Sequence, residues 1–286
     1  MHDYIRIYMS KRICAVTMVR NDEFFLRKWV AYYGAELGRE NLYVYLDGTD
    51  QPLPDWCPEV NVMARERVPG LVAAADRGRI DFLSSQAADL LDRYDMVIGT
   101  DVDEFLVVDP ALGTGLADFL SSLPPRTSYS GLGIVVGQHT ELESEIDAAR
   151  PFLQQRRHAV LSTRYSKASV ITKPVSWGSG FHRIRNGNFH IVKNLYLFHF
   201  GCVDLKGLEA KFSDKDKLAT GWSRHLKKRA RTIFTVSSSK ARNWERWIPF
   251  ARRVQNTVRP PYAWNKPAMF NLKIVVSIPE RFKDIM

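Results

Sequence analysis

The apolar positions of this chain change spacing several times before residue 110, and each change marks an element. Ile13 to Val19 is a continuous apolar run of strand length, stopped by Arg20-Asn21-Asp22-Glu23. Phe25, Trp29, Tyr32 and Tyr33 then recur at helical spacing, with Asn21 or Asp22 placed to cap the helix and Gly38 to end it. Leu42 to Leu46 predicts a second strand, closed by the turn signal Asp47-Gly48-Thr49-Asp50. A Pro-rich connection through Pro52, Pro54 and Pro58 leads to a third strand near Val60 to Met63. Ile80, Leu83, Ala87, Leu90 and Leu91 predict a second amphipathic helix, and Met96 to Thr100 a fourth strand. Such alternation predicts an α/β fold, a mainly parallel sheet flanked by helices, in which ligands bind at the carboxyl ends of the strands.

Beyond residue 110 the pattern is more mixed. Leu116 to Leu123 predicts a short helix ended by Pro124-Pro125, while Gly131 to Gly137 and Ala168 to Thr172 predict strands. Phe189 to Val192 and Leu195 to Phe200 predict a hairpin turning at Lys193-Asn194, and Leu205 to Leu218 a helix. From Thr220 the periodicity fades, and Pro249, Pro260, Pro261, Pro267 and Pro279 interrupt it. The expected organisation is a domain over 11–220, with halves 11–110 and 111–220, followed by a Trp- and Arg-rich extension over 221–286.

Candidate chemistry is concentrated in Met96-Val97-Ile98-Gly99-Thr100-Asp101-Val102-Asp103-Glu104-Phe105-Leu106. Apolar residues run into three carboxylates and resume at once. Clustered acids repel one another and resist leaving water, so a buried strand seldom ends this way without a reason. In extended chain Asp101 and Asp103 point to one side, which suits a hard divalent cation, Mn²⁺ or Mg²⁺, at a strand end. Arg20-Asn21, Asp47 and Asp101 to Asp103 all fall at such ends.

Charge sharpens the division at the C-terminus. The net charge is +10, yet residues 205–286 hold 19 Lys+Arg against 6 Asp+Glu, or +13, which leaves −3 for the remainder. A basic segment interleaved with Trp222, Trp244, Trp247, Tyr262 and Trp264 suits an anionic partner, such as a membrane surface. No apolar run is long enough to span a bilayer, Met1 to Ser10 reads as a leader to the first strand, and Cys14, Cys57 and Cys202 lack metal spacing. These features predict a cytoplasmic protein with reduced thiols, peripheral at the inner face of the membrane.

Two stretches carry a family resemblance. Ile13 to Asp50, ICAVTMVRNDEFFLRKWVAYYGAELGRENLYVYLDGTD, is similar to the opening of bacterial family 2-type glycosyltransferases, and Tyr94 to Val107, YDMVIGTDVDEFLV, resembles their Asp-x-Asp segment. The later SKASVITKPVSWGSGFHRI and LYLFHFG resemble family 92 glycosyltransferases. The resemblance implies a GT-A-type nucleotide-binding sheet continued by a mixed acceptor-binding half. It also implies transfer of a sugar, hexosyl-like and with inversion, from a nucleoside diphosphate-sugar to a glycan or lipid-linked acceptor in cell-envelope or polysaccharide synthesis. Thr17, Val19, Arg20 and Asp47 would then lie near the base and ribose, and Arg79, at the start of the second helix, near the diphosphate. Asp103 would be the direct metal ligand, with Asp101 acting through the ribose or a metal-bound water. A late histidine returning to the metal or diphosphate would be His182 first and His199 second. An inverting reaction needs a carboxylate base, for which Glu141, Glu143, Glu145, Asp147 and Asp204 are placed but unmarked by any motif.

Two other functions compete. An RNA- or polyanion-binding protein would use the basic, Trp-rich segment, which contains no recognisable nucleic-acid module, so no specific nucleic acid is expected. A nucleotidyltransferase would also pair carboxylates with a metal, but its first turn is usually Gly-rich and basic, whereas this one is Val19-Arg20-Asn21-Asp22-Glu23.

Overall fold

The computed structural model describes residues 10–67, 72–185, 190–212, 223–258 and 273–286. The first half follows the predicted alternation: β1 (Ile13–Val19), α1 (Glu23–Leu37), β2 (Leu42–Asp47), β3 (Asn61–Arg65), α2 (Val72–Leu90), β4 (Met96–Gly99) and β5 (Glu104–Val108). Asp22 caps α1 by accepting from Phe25 N at 3.3 Å, and Gly38 ends it with a φ of +86°. Strands β3, β2, β1 and β4 lie side by side and parallel. Every residue of β1 is buried, because helices cover both faces. Its alternation sorts side chains between two cores. Ile13, Ala15 and Val19 pack with Trp29 and Val30 of α1, and Cys14, Val16 and Met18 pack with Ile80, Leu83 and Ala87 of α2.

The second half makes the sheet mixed. After α3 (Leu116–Ser121) come β6 (Ser128–Gly137), the single turn α4 (Phe152–Gln155), β7 (His158–Leu161), β8 (Val170–Ile171) and β9 (Ile191–Cys202). Strand β8 runs antiparallel to both β4 and β6, while β9 pairs parallel with β6 and antiparallel with β5. The β5–β9 pairing sets Glu104 directly opposite His199.

Three sequence expectations change. No hairpin turns at Lys193-Asn194; β9 is continuous there and carries a register irregularity between the pairs Ser130–Ile191 and Leu132–Tyr196. Asn194 within it has a φ of +61°, a conformation asparagine tolerates, so the turn-like dipeptide forms a bulge. Phe189 of that expected hairpin lies outside the described residues. Helix α2 begins at Val72, so Arg79 lies within it and not at its start.

The third change concerns the C-terminus. Helix α5 (Leu205–Phe212) lies within the expected helix, and where apolar periodicity faded there are α6 (Ser223–Ser238), β10 (Arg242–Asn243), α7 (Trp244–Thr257) and β11 (Val275–Ser277). Strand β11 joins the sheet on β7, and Trp244, Ile248, Ala251, Val276, Ile278 and Phe282 belong to the main core. The many Arg and Lys of these helices dilute a narrow apolar stripe, which hid it in the linear pattern. The Leu205 to Leu218 helix beyond residue 212, the leader before Ser10, and Trp222, Tyr262 and Trp264 lie outside the described residues.

A charged clamp ties this segment to β5. Arg281 donates to Asp109 Oδ1 at 2.6 Å and Oδ2 at 2.9 Å, and the Tyr196 hydroxyl donates to the same carboxylate at 3.0 Å. Burial would raise the Asp109 carboxyl, but these hydrogen bonds and the guanidinium charge hold it below its ordinary value. We expect Phe282→Ala to cost about 3–5 kcal/mol by leaving a cavity in the core, and Arg281→Met about 2–3 kcal/mol. A depressed folded pKa contributes stability above the unfolded value and loses it as the pH falls. The Arg281→Met penalty should therefore be full at pH 7 and shrink below about pH 4. Urea denaturation across pH checks both; a penalty independent of pH would remove the clamp assignment.

Candidate active site

The acidic motif is a turn between β4 and β5. Glu104 N donates to Asp101 O at 3.0 Å, closing Asp101-Val102-Asp103-Glu104, so the extended alternation expected for the two aspartates does not apply. Thr100 is buried and its hydroxyl accepts from Trp29 Nε1 at 3.0 Å, which anchors the turn to α1. Asp101 is about a quarter exposed at its side chain, Asp103 is nearly buried and Glu104 is fully buried.

Three buried or half-buried carboxylates within four residues need compensation, and each has a cation. Arg79 Nη1 donates to Asp101 Oδ1 at 2.9 Å and Lys167 Nζ to Asp101 Oδ2 at 2.9 Å. The same Lys167 ammonium, itself buried, lies 2.5 Å from Glu104 Oε1. Arg229 Nη2, from α6, donates to Asp103 Oδ2 at 2.9 Å. Burial would raise both aspartates; Lys167 and Arg79 overcome it at Asp101, and the facing His199 ring, then Arg229, at Asp103, so both stay well below the ordinary carboxylate range. Glu104 goes the other way. Burial, with Asp101 and Asp103 beside it, pushes it up to about 8 against the pull of Lys167.

His199 completes the group. Its Nε2 lies 3.4 Å from Asp103 Oδ2, its ring stacks on Tyr165 with centroids 4.0 Å apart, and it is almost wholly buried. Burial lowers its pKa, opposed by Asp103. Its Nδ1 is buried with no hydrogen-bond partner among the described residues. Gly201 makes the convergence sterically strict. A Cβ at that position would stand 2.8 Å from Arg229 Cζ, Asp103 Oδ2 and His199 Cε1.

Asp103, Glu104 and His199 offer ligand atoms within 4.8 Å of one another. The 3.4 Å between Asp103 Oδ2 and His199 Nε2 is long for a hydrogen bond. It suits two ligands each about 2.1 Å from one ion. One oxygen and one neutral imidazole nitrogen are donors that Mn²⁺ accepts. The residues present therefore fit a divalent cation. Asp101, by contrast, has both oxygens held by Arg79 and Lys167.

The other predicted residues fall into three groups. Arg20 reaches across the carboxyl ends of β1 and β2, donating to Asp47 O at 2.7 Å and to both oxygens of Asp50 at 2.8 Å. The structure brings Arg20 and Asp47 together through the backbone carbonyl of Asp47. Thr17 and Val19 are buried in β1, with the Thr17 hydroxyl unpartnered among the described residues. His182 stands apart from the metal-competent group: Nδ1 lies 2.7 Å from Arg164 O and Nε2 accepts from Arg164 Nε at 3.3 Å. Burial, then Lys167 and Arg164, holds it well below its ordinary pKa. Among the base candidates, Glu143 is buried and accepts from His139 N, Arg157 N and His158 Nδ1, whereas Asp204 Oδ2 accepts from Gly207 N at 2.7 Å at the start of α5. Glu141 and Glu145 are exposed.

Lys167, Arg229 and Asp50 were missed in the sequence. Lys167 had a faint signal, a lone cation against the apolar run Ala168 to Thr172; Arg229 had none, being one basic residue among many. No family model and no curated protein matches the chain. Among solved structures, one similar to it is the mannosyltransferase PcManGT of Pyrobaculum calidifontis in complex with GDP-Man and Mn²⁺. The similarity covers 89% of this chain and 82% of that one at 12% identity, with a TM-score of 0.37. A likeness of that order leaves function to be argued from this chain's own residues.

Removing one partner from a buried ion pair strands a charge, and Lys167 serves two. We expect Lys167→Met to destabilise the protein by about 3–5 kcal/mol, and added Glu104→Gln to restore part of that loss. Additive penalties in a urea double-mutant cycle would show that the contact is energetically idle.

Proposed function

We propose that this chain is a metal-dependent glycosyltransferase that moves a sugar from a nucleoside diphosphate-sugar to an acceptor hydroxyl. The observation that carries the reading is the meeting of Asp103 and His199, distant in sequence, at 3.4 Å beside the carboxyl end of β4. It is supported by the GT-A resemblance of Ile13 to Asp50 and Tyr94 to Val107. Asp103 and His199 would hold Mn²⁺ or Mg²⁺, with Glu104 behind them. A divalent cation at that position would offset the charge a departing nucleoside diphosphate gains. Arg79, anchored to Asp76 and Asp101, orients the acidic turn and would reach the diphosphate from there. Arg20 and Asp47 would form the base and ribose end of the same edge, with Asp50 fixing Arg20 by a bidentate pair, while Thr17 and Val19 are buried in β1 behind them.

For the acceptor proton the geometry ranks the carboxylates. Glu143 is engaged by three donors and Asp204 at α5, which argues against either as that base and leaves the exposed Glu141 as a candidate. The acceptor class we favour is a glycan or lipid-linked saccharide, with inversion at the transferred carbon. No described helix is long and apolar enough to cross a membrane. The basic residues of α6 and α7 suit a peripheral position on the cytoplasmic face.

Histidine roles separate cleanly in this reading. His199→Ala should weaken Mn²⁺-dependent binding of UDP or GDP by roughly tenfold, a loss of about 1.4 kcal/mol, and His182→Ala much less. This order reverses the one expected from sequence, because His182 spends both ring nitrogens on Arg164. Asp103→Asn should abolish metal-dependent binding and sugar transfer while the fold persists. Titration calorimetry with and without Mn²⁺ measures each, and wild-type binding by Asp103→Asn would overturn the metal assignment.

A further inference from the structure

Arg229 stands on the carboxylate oxygen that a metal would use. Its Nη2 is 2.9 Å from Asp103 Oδ2, the same atom that faces His199 Nε2 at 3.4 Å. The guanidinium carbon, that oxygen and His199 Cε1 all crowd the open side of Gly201. A guanidinium and a divalent cation cannot share one buried oxygen at bonding distance without strong repulsion. The Arg229 side chain is nevertheless about one-fifth exposed, so part of it faces water. It is also carried by α6, an element separate from the turn that holds Asp103 and the strand that holds His199. The acids, by contrast, are fixed by the turn and by β9 pairing.

From this juxtaposition we infer that Arg229 is a built-in surrogate for the metal, which yields Asp103 to a divalent cation and then binds the diphosphate that the cation brings. The inference rests on the glycosyltransferase reading and deepens it by adding a binding residue and an order of events. Without metal, Arg229 keeps Asp103 ionised and the acidic turn ordered. When a cation takes Asp103, the displaced guanidinium is a planar, permanently charged fork beside the site, a geometry matched to phosphate oxygens. Free metal then binds weakly because it must displace Arg229, and metal with diphosphate binds well because the displaced charge gains a partner. Donor and cation are thereby coupled through one side chain.

The full-length chain tests this with Mn²⁺ alone as the first probe, followed by UDP and GDP at saturating Mn²⁺, all by titration calorimetry. Arg229→Gln should bind Mn²⁺ roughly tenfold more tightly than wild type, yet bind whichever nucleotide wild type prefers roughly tenfold more weakly. Arg229→Lys, which keeps the charge, should lie between, and it also serves where Arg229→Gln folds poorly by near-ultraviolet circular dichroism. Opposite signs for the two ligands are the signature, since a merely structural arginine would weaken both. If Arg229→Gln leaves Mn²⁺ affinity unchanged or lower while Asp103→Asn abolishes it, the surrogate role is overturned and the metal site stands. Tighter Mn²⁺ with unchanged nucleotide binding would overturn the handover to phosphate. If no form binds Mn²⁺, the metal-dependent reading falls and Arg229 is only the counter-ion of Asp103.

Discussion

The architecture around the acidic turn follows from one constraint: Asp101, Asp103 and Glu104 are taken largely out of water within four residues. Each carboxylate would be costly alone, and together they repel. The chain meets this with Arg79 from α2, Lys167 from the approach to β8 and Arg229 from α6, three cations recruited from three directions. Moving any of these elements would strand a charge. The turn is therefore both the centre of the candidate chemistry and a tie between the parallel half and the later strands.

Topology explains why the turn can serve a ligand. Parallel strands β1, β2 and β4 end on the same edge, so Arg20, the Asp47–Asp50 turn and the acids share it. The chain then reverses through β5, and β9 returns antiparallel beside it. That pairing places His199 opposite Glu104 and next to Asp103. A histidine nearly one hundred positions away reaches the site through strand register, which fixes its position more firmly than a loop would.

What was legible in the sequence follows from what each element asks of its residues. β1, α1, β2 and β4 are buried on one or both faces, so their apolar spacing is dense and their limits were readable from Ile13 to Gly99. Asp101, Asp103 and Glu104 were conspicuous because acids interrupt that density. The order of the histidines was not readable. His182 and His199 each sit among aromatics, and only register and the Arg164 contacts distinguish them. The turn-like dipeptide at Asn194 imitates a hairpin locally, and pairing with β6 on one side and with β5 and Asp109 on the other carries β9 through it. Lys167 and Arg229 were hidden for a simpler reason, since pairing with acids distant in sequence leaves no local trace.

The C-terminal charge shows how far a segment total can mislead. An excess of +13 over 205–286 suggests a surface field. Yet Arg229 is committed to Asp103 and Arg281 to Asp109 and Glu245, so part of that charge neutralises acids of the preceding segment. The slight acidic excess of the remainder, −3, is the complement of the same arrangement. Opposite imbalances in two parts of a chain are expected when one supplies counter-ions to the other. The basic residues that remain exposed, among them Arg231, Arg246 and Arg253, are the ones that face solvent. Trp244 belongs to the core and takes no part in such contact, whereas Phe234 and Phe250 are exposed beside those charges. Any attraction to an anionic partner therefore belongs to specific outward positions on α6 and α7, while the inward cations belong to the candidate active site and the fold.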